Sequence, residues 1–181
     1  MLSKNTALII IDVQKGFDDE RWGRRNNQEN IERLLNRWRE TDRPVIHIQH
    51  ISKKPGHPLR NENIGSEFKE FIEPLDHEPV FQKHVNSAFI GTNLEHYLRE
   101  NDYQTVVIVG LTTDQCVSTT TRMAGNLGFK IYVVSDATAT FERTGYNGKY
   151  YSAEDIHEFA LVSLHEMFAT VVQTEDLLVH I

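Results

Sequence analysis

A single cysteine, Cys116, leaves the chain no intramolecular disulfide framework and no Cys-rich zinc site. With 10 glycines and 5 prolines, the chain is neither collagen-like nor a low-complexity linker. No apolar run approaches the roughly 20 residues that span a bilayer, so no membrane partner is expected. The net charge of −7 is spread through interspersed acids and bases, with no basic face to attract nucleic acid. The opening Met1-Leu2-Ser3-Lys4-Asn5-Thr6 lacks the charged-then-apolar plan of a secretory signal, which points to a cytoplasmic protein. Neither Gly-x-Gly-x-x-Gly nor Gly-x4-Gly-Lys-Ser/Thr occurs, so nothing supplies the usual nucleotide phosphate cradle.

What is present is an ordinary globular composition, 39% apolar and 25% charged, over 181 residues. That length suits a single domain, residues 1–181, able to bury a sizeable core. Strand candidates are Thr6–Asp12, Pro44–His50, Glu78–Lys83, Gln104–Gly110, Lys130–Asp136 and Phe168–Thr174. Several are nearly continuous Val/Ile runs, as parallel strands covered on both faces require. Between them, Ile31, Leu34, Leu35 and Trp38 form a helical stripe at i, i+3, i+4, i+7. Thr92-Asn93-Leu94-Glu95 reads as a capping box, and the segment from Cys116 to Leu127 ends at a helix-terminating Gly128. Ser152 is placed to cap a last helix carrying Ile156, Phe159, Ala160, Leu164 and Met167. This alternation predicts a three-layer α/β/α fold on a parallel sheet. The long stretches Val13–Gln28, Ile51–Glu67 and Ala137–Tyr151 follow strands 1, 2 and 5, where open α/β sheets bind ligands.

Three polar residues fall at that carboxyl edge. Asp12 ends the first apolar run, Lys83 closes the third strand, and Cys116 follows the fourth through Gly110-Leu111-Thr112-Thr113-Asp114-Gln115. A thiolate is stabilised by a nearby cation or a helix N-terminus, so Lys83 and the helix start are expected to lower the Cys116 pKa. Asp12 is then the candidate general base, and backbone amides of the 112–116 turn could hold an oxyanion. Each residue also has a plainer reading: Cys116 as a small buried hydrophobe, Asp12 as a turn cap, Lys83 as a solvated charge. Their convergence on one sheet edge is what favours catalysis.

Four segments resemble the isochorismatase-like family of cysteine hydrolases. Thr6-Ala7-Leu8-Ile9-Ile10-Ile11-Asp12-Val13-Gln14-Lys15-Gly16-Phe17 is similar to that family's opening strand, and Gly110 to Val117 resembles its nucleophile turn. Lys83 with Ser87-Ala88-Phe89 resembles its lysine segment, and Val134-Ser135-Asp136-Ala137 its fifth strand. The resemblance implies a catalytic Asp12, Lys83 and Cys116 on a six-stranded parallel sheet ordered 3-2-1-4-5-6. It also implies a cis Leu111–Thr112 peptide and an oxyanion hole from the Thr112 and Cys116 amides. The implied activity is cysteine-dependent hydrolysis of a C–N bond in a small amide or ureido substrate through a thioester. A vinyl-ether hydrolase using Asp12 as general acid and a non-catalytic scaffold are the alternatives. Family members often form homodimers or homotetramers, so a homo-oligomer is expected.

Within the family, nicotinamidases carry a metal-binding Asp-x-His where this chain has His50-Ile51-Ser52. His47 and His50 are three apart on a strand and point to opposite faces, with His57 in a loop. Zinc sites need about four converging ligands, so neither a metal nor any other cofactor is expected. Substrate-binding candidates are Phe17, His50, Phe89 and Gln115, with Trp22, Phe141 and Tyr146 as further aromatic wall residues. Arg21, Arg24 and Arg25 would attract a carboxylate if they faced inward.

Overall fold

The computed structural model describes residues 2–18 and 27–181. Trp22, Arg21, Arg24 and Arg25 therefore lie outside the described residues. Six strands form one sheet: β1 (Ala7–Ile11), β2 (Val45–His50), β3 (Val80–Lys83), β4 (Thr105–Leu111), β5 (Lys130–Ala139) and, after a small hairpin, β8 (Thr170–Val172). Their order is β3-β2-β1-β4-β5-β8, and every neighbouring pair is parallel. This is the order 3-2-1-4-5-6 expected from the sequence.

The continuous apolar runs are explained by what lies on each side. Ala7, Ile9 and Ile11 of β1 pack with Leu94 and Leu98 of α2 (Leu94–Glu100), Ala124 of α3 (Ser118–Asn126) and Leu161 of α4 (Ala153–Leu164). Leu8 and Ile10 face the other way, onto Ile31, Leu34, Leu35 and Trp38 of α1 (Asn27–Glu40) and Leu177 of α5 (Thr174–Leu178). Both faces of a strand are thus buried, so alternation disappears from the sequence. Trp38 is fully buried, and its indole nitrogen donates to the Thr6 carbonyl at 2.9 Å.

Four expectations need correction. Thr92–Glu95 is not a capping box: Thr92 Oγ1 donates to the Ala88 carbonyl, and Glu95 accepts from Arg99 instead of turning back. The buried face of α4 is Ala153, His157, Leu161 and Leu164, while Phe159 is exposed and Met167 lies beyond the helix end. The face shifts because His157 is accommodated inside by a 2.8 Å bond between its Nδ1 and Thr113 Oγ1. The stretch 137–151 is not all loop. A register shift between Ile108 and Gly110 lets β5 bulge and run on to Ala139, followed by the hairpin β6 (Arg143–Thr144) and β7 (Tyr150–Tyr151). Finally, α4 is not the last helix; α5 follows β8, with the Thr174 amide and hydroxyl both donating to Asp136 Oδ1. The other helix ends match the sequence expectation: Ser152 Oγ accepts from the Asp155 amide, and Gly128 (φ +87°) closes α3, with Phe129 N donating to the Ala124 carbonyl.

At the opposite edge from the Asp12 strand end, Glu78 joins α1 to the sheet. It accepts two 2.8 Å bonds from Arg39 and one from His47 Nε2, plus the Leu75 amide at 3.1 Å. Burial alone would raise its pKa, but the bonds from Arg39, then His47 and Leu75, hold it down at about 2. Because the folded value lies below the ordinary 4.5, Glu78 contributes stability above that pH and loses it as pH falls toward 2. Thermal unfolding of wild type and Glu78→Gln across this acid range should therefore converge, the wild type losing its advantage as Glu78 protonates.

Candidate active site

The turn in strand order lies between β1 and β4, where α/β sheets open a crevice at their carboxyl ends. Asp12 follows β1 and turns there in the left-handed region (φ 51°), which Asp tolerates better than most residues. Across the crevice, Gly110 (φ +113°) lets β4 approach so closely that a Cβ would stand 2.1 Å from the Ile11 carbonyl oxygen. The Leu111–Thr112 peptide is cis, as the resemblance implied. One turn of π-helix, Thr113–Val117, then carries Cys116 into α3, with Val117 N bonded to the Thr112 carbonyl at 3.1 Å. Gln115 N shares that acceptor, also at 3.1 Å.

Lys83 comes from β3, two strands from β1, a span of about 10 Å. Its long side chain crosses the end of β2 and is fully buried, as is Asp12. The ammonium lies 2.6 Å from Asp12 Oδ2, 3.3 Å from Cys116 Sγ and 3.1 Å from His50 Nδ1. Asp12, Cys116 and His50 also offer ligand atoms all within 4.8 Å of one another, the set that could hold a metal ion. The Lys83 ammonium bonds all three of these residues, so a metal there would compete with a cation already attached to the chain. The nicotinamidase-type metal set does not fit this site, since Ser52 replaces a ligand and His50 Nδ1 is engaged by Lys83.

The thiol is not pre-ionised as the sequence suggested. Burial, followed by the negative charge of Asp12, pushes the Cys116 pKa up to about 12 against the opposing pull of Lys83. Burial likewise raises Asp12, with Lys83 counteracting it. Cys116 lies within the π-turn that leads into α3, so burial and Asp12 together outweigh both that helix start and Lys83. Two buried polar atoms in these segments have no hydrogen-bond partner among the described residues, Asp12 Oδ1 and Thr112 Oγ1. Unsatisfied buried groups are costly, and both are suited to meeting polar groups of a substrate.

The remaining candidates separate. Phe17 stacks on Phe141, centroids 6.2 Å apart, joining the loops after β1 and β5. Phe89 stacks on Phe129 at 6.1 Å and packs against the apolar cluster that includes Cys116. Gln115 and Tyr146 are exposed. His47 is a core residue held by Glu78 and set edge-on to Phe68. Sequence reasoning passes over the residues that fix the surroundings. Fully buried Gln14 donates to the His50 and Ser66 carbonyls (3.0 and 2.7 Å) and accepts from the His50 amide at 2.9 Å. Asp114, inside the turn that carries Cys116, is held by Thr140 and by Arg143 at 2.8 Å.

The isochorismatase domain model matches residues 6–176. The chain belongs to the isochorismatase family. It is 52% identical over 180 residues to the uncharacterised isochorismatase family protein YrdC of Bacillus subtilis, covering 98% of this chain and 96% of that one. The crystal structure of an isochorismatase-family protein from Chromobacterium violaceum superposes with a TM-score of 0.93 at 38% identity, covering 99% and 94% of the two chains. Nicotinamidase 3 of Arabidopsis thaliana is 28% identical over 188 residues, covering 97% and 88%. The protein is thus an isochorismatase-family hydrolase, and among its described residues no helix is long and apolar enough to cross a membrane.

In this family member the thiol is governed by burial first and then by the two neighbouring charges, and its single cysteine makes the charge effects directly readable. Thiolate absorbance near 240 nm, followed against pH, should rise only at strongly alkaline pH in the wild type. Asp12→Asn removes the opposing charge and should shift the rise to lower pH, whereas Lys83→Met should shift it higher.

Proposed function

We propose that the protein is a cysteine-dependent amidohydrolase cleaving a C–N bond in a small amide or ureido substrate, with Asp12, Lys83 and Cys116 as its catalytic residues. The observation that carries this reading is the buried ammonium of Lys83, bonded at once to a carboxylate oxygen and to the only sulfur nucleophile in the chain. At rest the trio holds Asp12 carboxylate, Lys83 ammonium and a neutral thiol. Moving the proton from Sγ to Asp12 converts this to carboxylic acid, ammonium and thiolate, with no change in net charge. A buried site tolerates such an exchange far better than net ionisation. The raised pKa values of Cys116 and Asp12 are consistent with a nucleophile formed during attack instead of one stored as an anion.

The sulfur then bonds to the substrate carbonyl carbon while the π electrons move onto oxygen, opposite the Thr112 and Cys116 amides. Collapse of this intermediate breaks the C–N bond, and Asp12 returns its proton to the departing nitrogen. Water, deprotonated by Asp12, attacks the thioester; the C–S bond breaks, and the proton returns to sulfur. Lys83 keeps one positive charge beside whichever of Asp12 or Cys116 is negative. Relatives named nicotinamidase 3, N-carbamoylsarcosine amidase and streptothricin hydrolase support C–N chemistry for this fold. The substrate is expected to bring polar groups for Asp12 Oδ1 and Thr112 Oγ1, the two buried atoms without partners. We further expect a homodimer or homotetramer acting on a small molecule in the cytoplasm.

The test is a panel of small carboxamides and ureides assayed for amine or ammonia release. Cys116→Ala should lower kcat on the order of 10^4-fold or more while the protein remains folded. Near-normal turnover by that variant would place the chemistry elsewhere and favour a route using Asp12 as general acid.

A further inference from the structure

Lys83 is an unusual ammonium because it is buried with every proton assignable. An ammonium has three donors and no acceptor. Asp12 Oδ2 takes one, Cys116 Sγ takes a second, and the third is directed to His50 Nδ1. The register makes this contact a consequence of the sheet: His50, the last residue of β2, pairs directly with Lys83, the last residue of β3. The lysine side chain must pass the end of β2 to reach Asp12, and His50 is the side chain met on the way.

The backbone of His50 is fixed as well. Gln14 grips its main chain through both the amide and the carbonyl. Since Nδ1 must accept from the ammonium, the proton of the neutral ring is on Nε2, and the tautomer is set. The ring of His57 lies 6.4 Å away, and His57 Nδ1 in turn accepts from the Leu59 amide. Burial, then the positive charge of Lys83, then His57 and His84, lower the His50 pKa to about 4. The imidazole thus stays neutral and able to accept at ordinary pH.

We propose that His50 is a positioning residue that acts through Lys83: its Nδ1 lone pair completes the hydrogen bonding of the buried ammonium and holds it between Asp12 and Cys116. The assignment rests on the catalytic reading of Lys83, yet it can be tested with no substrate. It goes beyond the pocket-lining role expected for His50 from its place at a strand end. Without Nδ1, one donor of a fully buried cation is left unsatisfied, which favours the neutral amine. The titratable groups facing the ring are Lys83, His57 and His84, with Asp12 and Cys116 across the ammonium.

The experiment follows the Lys83 titration by NMR in protein labelled at lysine 13Cε, using Lys83→Met to assign the signal. Wild type is compared with His50→Asn, whose side-chain oxygen can stand where Nδ1 stands, His50→Gln, whose oxygen reaches toward the Nε2 position, and His50→Leu. The pH dependence of the Lys83 13Cε signal should move in the Leu and Gln variants, toward loss of the ammonium at lower pH, and match wild type in the Asn variant. A packing role would not distinguish Asn from Gln. Equal titration in all four proteins, or an equal fall in the three variants, overturns the proposal. Failure of the cysteine mechanism would show separately, as turnover that survives Cys116→Ala.

Discussion

The site depends on one constraint: a positive charge with no access to solvent must have all its hydrogen bonds met by the protein. Lys83 reaches this position from the edge strand β3, and its acceptors come from the end of β2, the end of β1 and the turn after β4. Four adjacent strands are thereby tied at their carboxyl ends through one nitrogen. Removing one partner of a buried ion pair costs about 3–5 kcal/mol, so the arrangement is tightly specified. Under the proposed mechanism the same constraint would let a buried thiol act, because an exchange of a proton between Cys116 and Asp12 leaves the charge around the ammonium balanced.

The surrounding backbone is shaped to permit that meeting. Asp12 turns into the left-handed region to aim its carboxylate, and Gly110 removes the side chain that would collide with Ile11. The turn carrying Cys116 is anchored on two sides, by Thr113 to His157 of α4 and by Asp114 to Arg143 beyond β5. The loop after β5 is coupled to the loop after β1 through Phe141 and Phe17. These contacts limit how far the thiol can move relative to the carboxylate.

Much of this is legible in the sequence because burial on both faces writes a strand as an unbroken apolar run. The apolar run of β1 ends in Asp12, the short and partly exposed edge strand β3 ends in Lys83, and Cys116 follows β4 at the same edge, so the amino-acid order groups the three. The helix faces are less legible. Treating His157 as polar shifts the buried stripe of α4, since a histidine with a hidden hydroxyl partner is invisible to hydropathy. The direction of the Cys116 shift is hidden for a related reason. Spacing shows which charges are near, but not that water is excluded, and desolvation outweighs the lysine here. The supporting bonds of Gln14 to His50 and of His50 to Lys83 join residues 36 and 33 positions apart, and no local pattern reports them.

The central claim is that Cys116 carries the acyl group during turnover. Acid-quenched intact-mass spectrometry on a hydrolysed amide, followed by peptide mapping, tests it most directly. The account predicts an added mass equal to the acyl fragment on the Cys116 peptide, formed with the first equivalent of amine and absent from Cys116→Ala. Steady hydrolysis of the amide by Cys116→Ala, with the wild type carrying no adduct at any quench time, would contradict it.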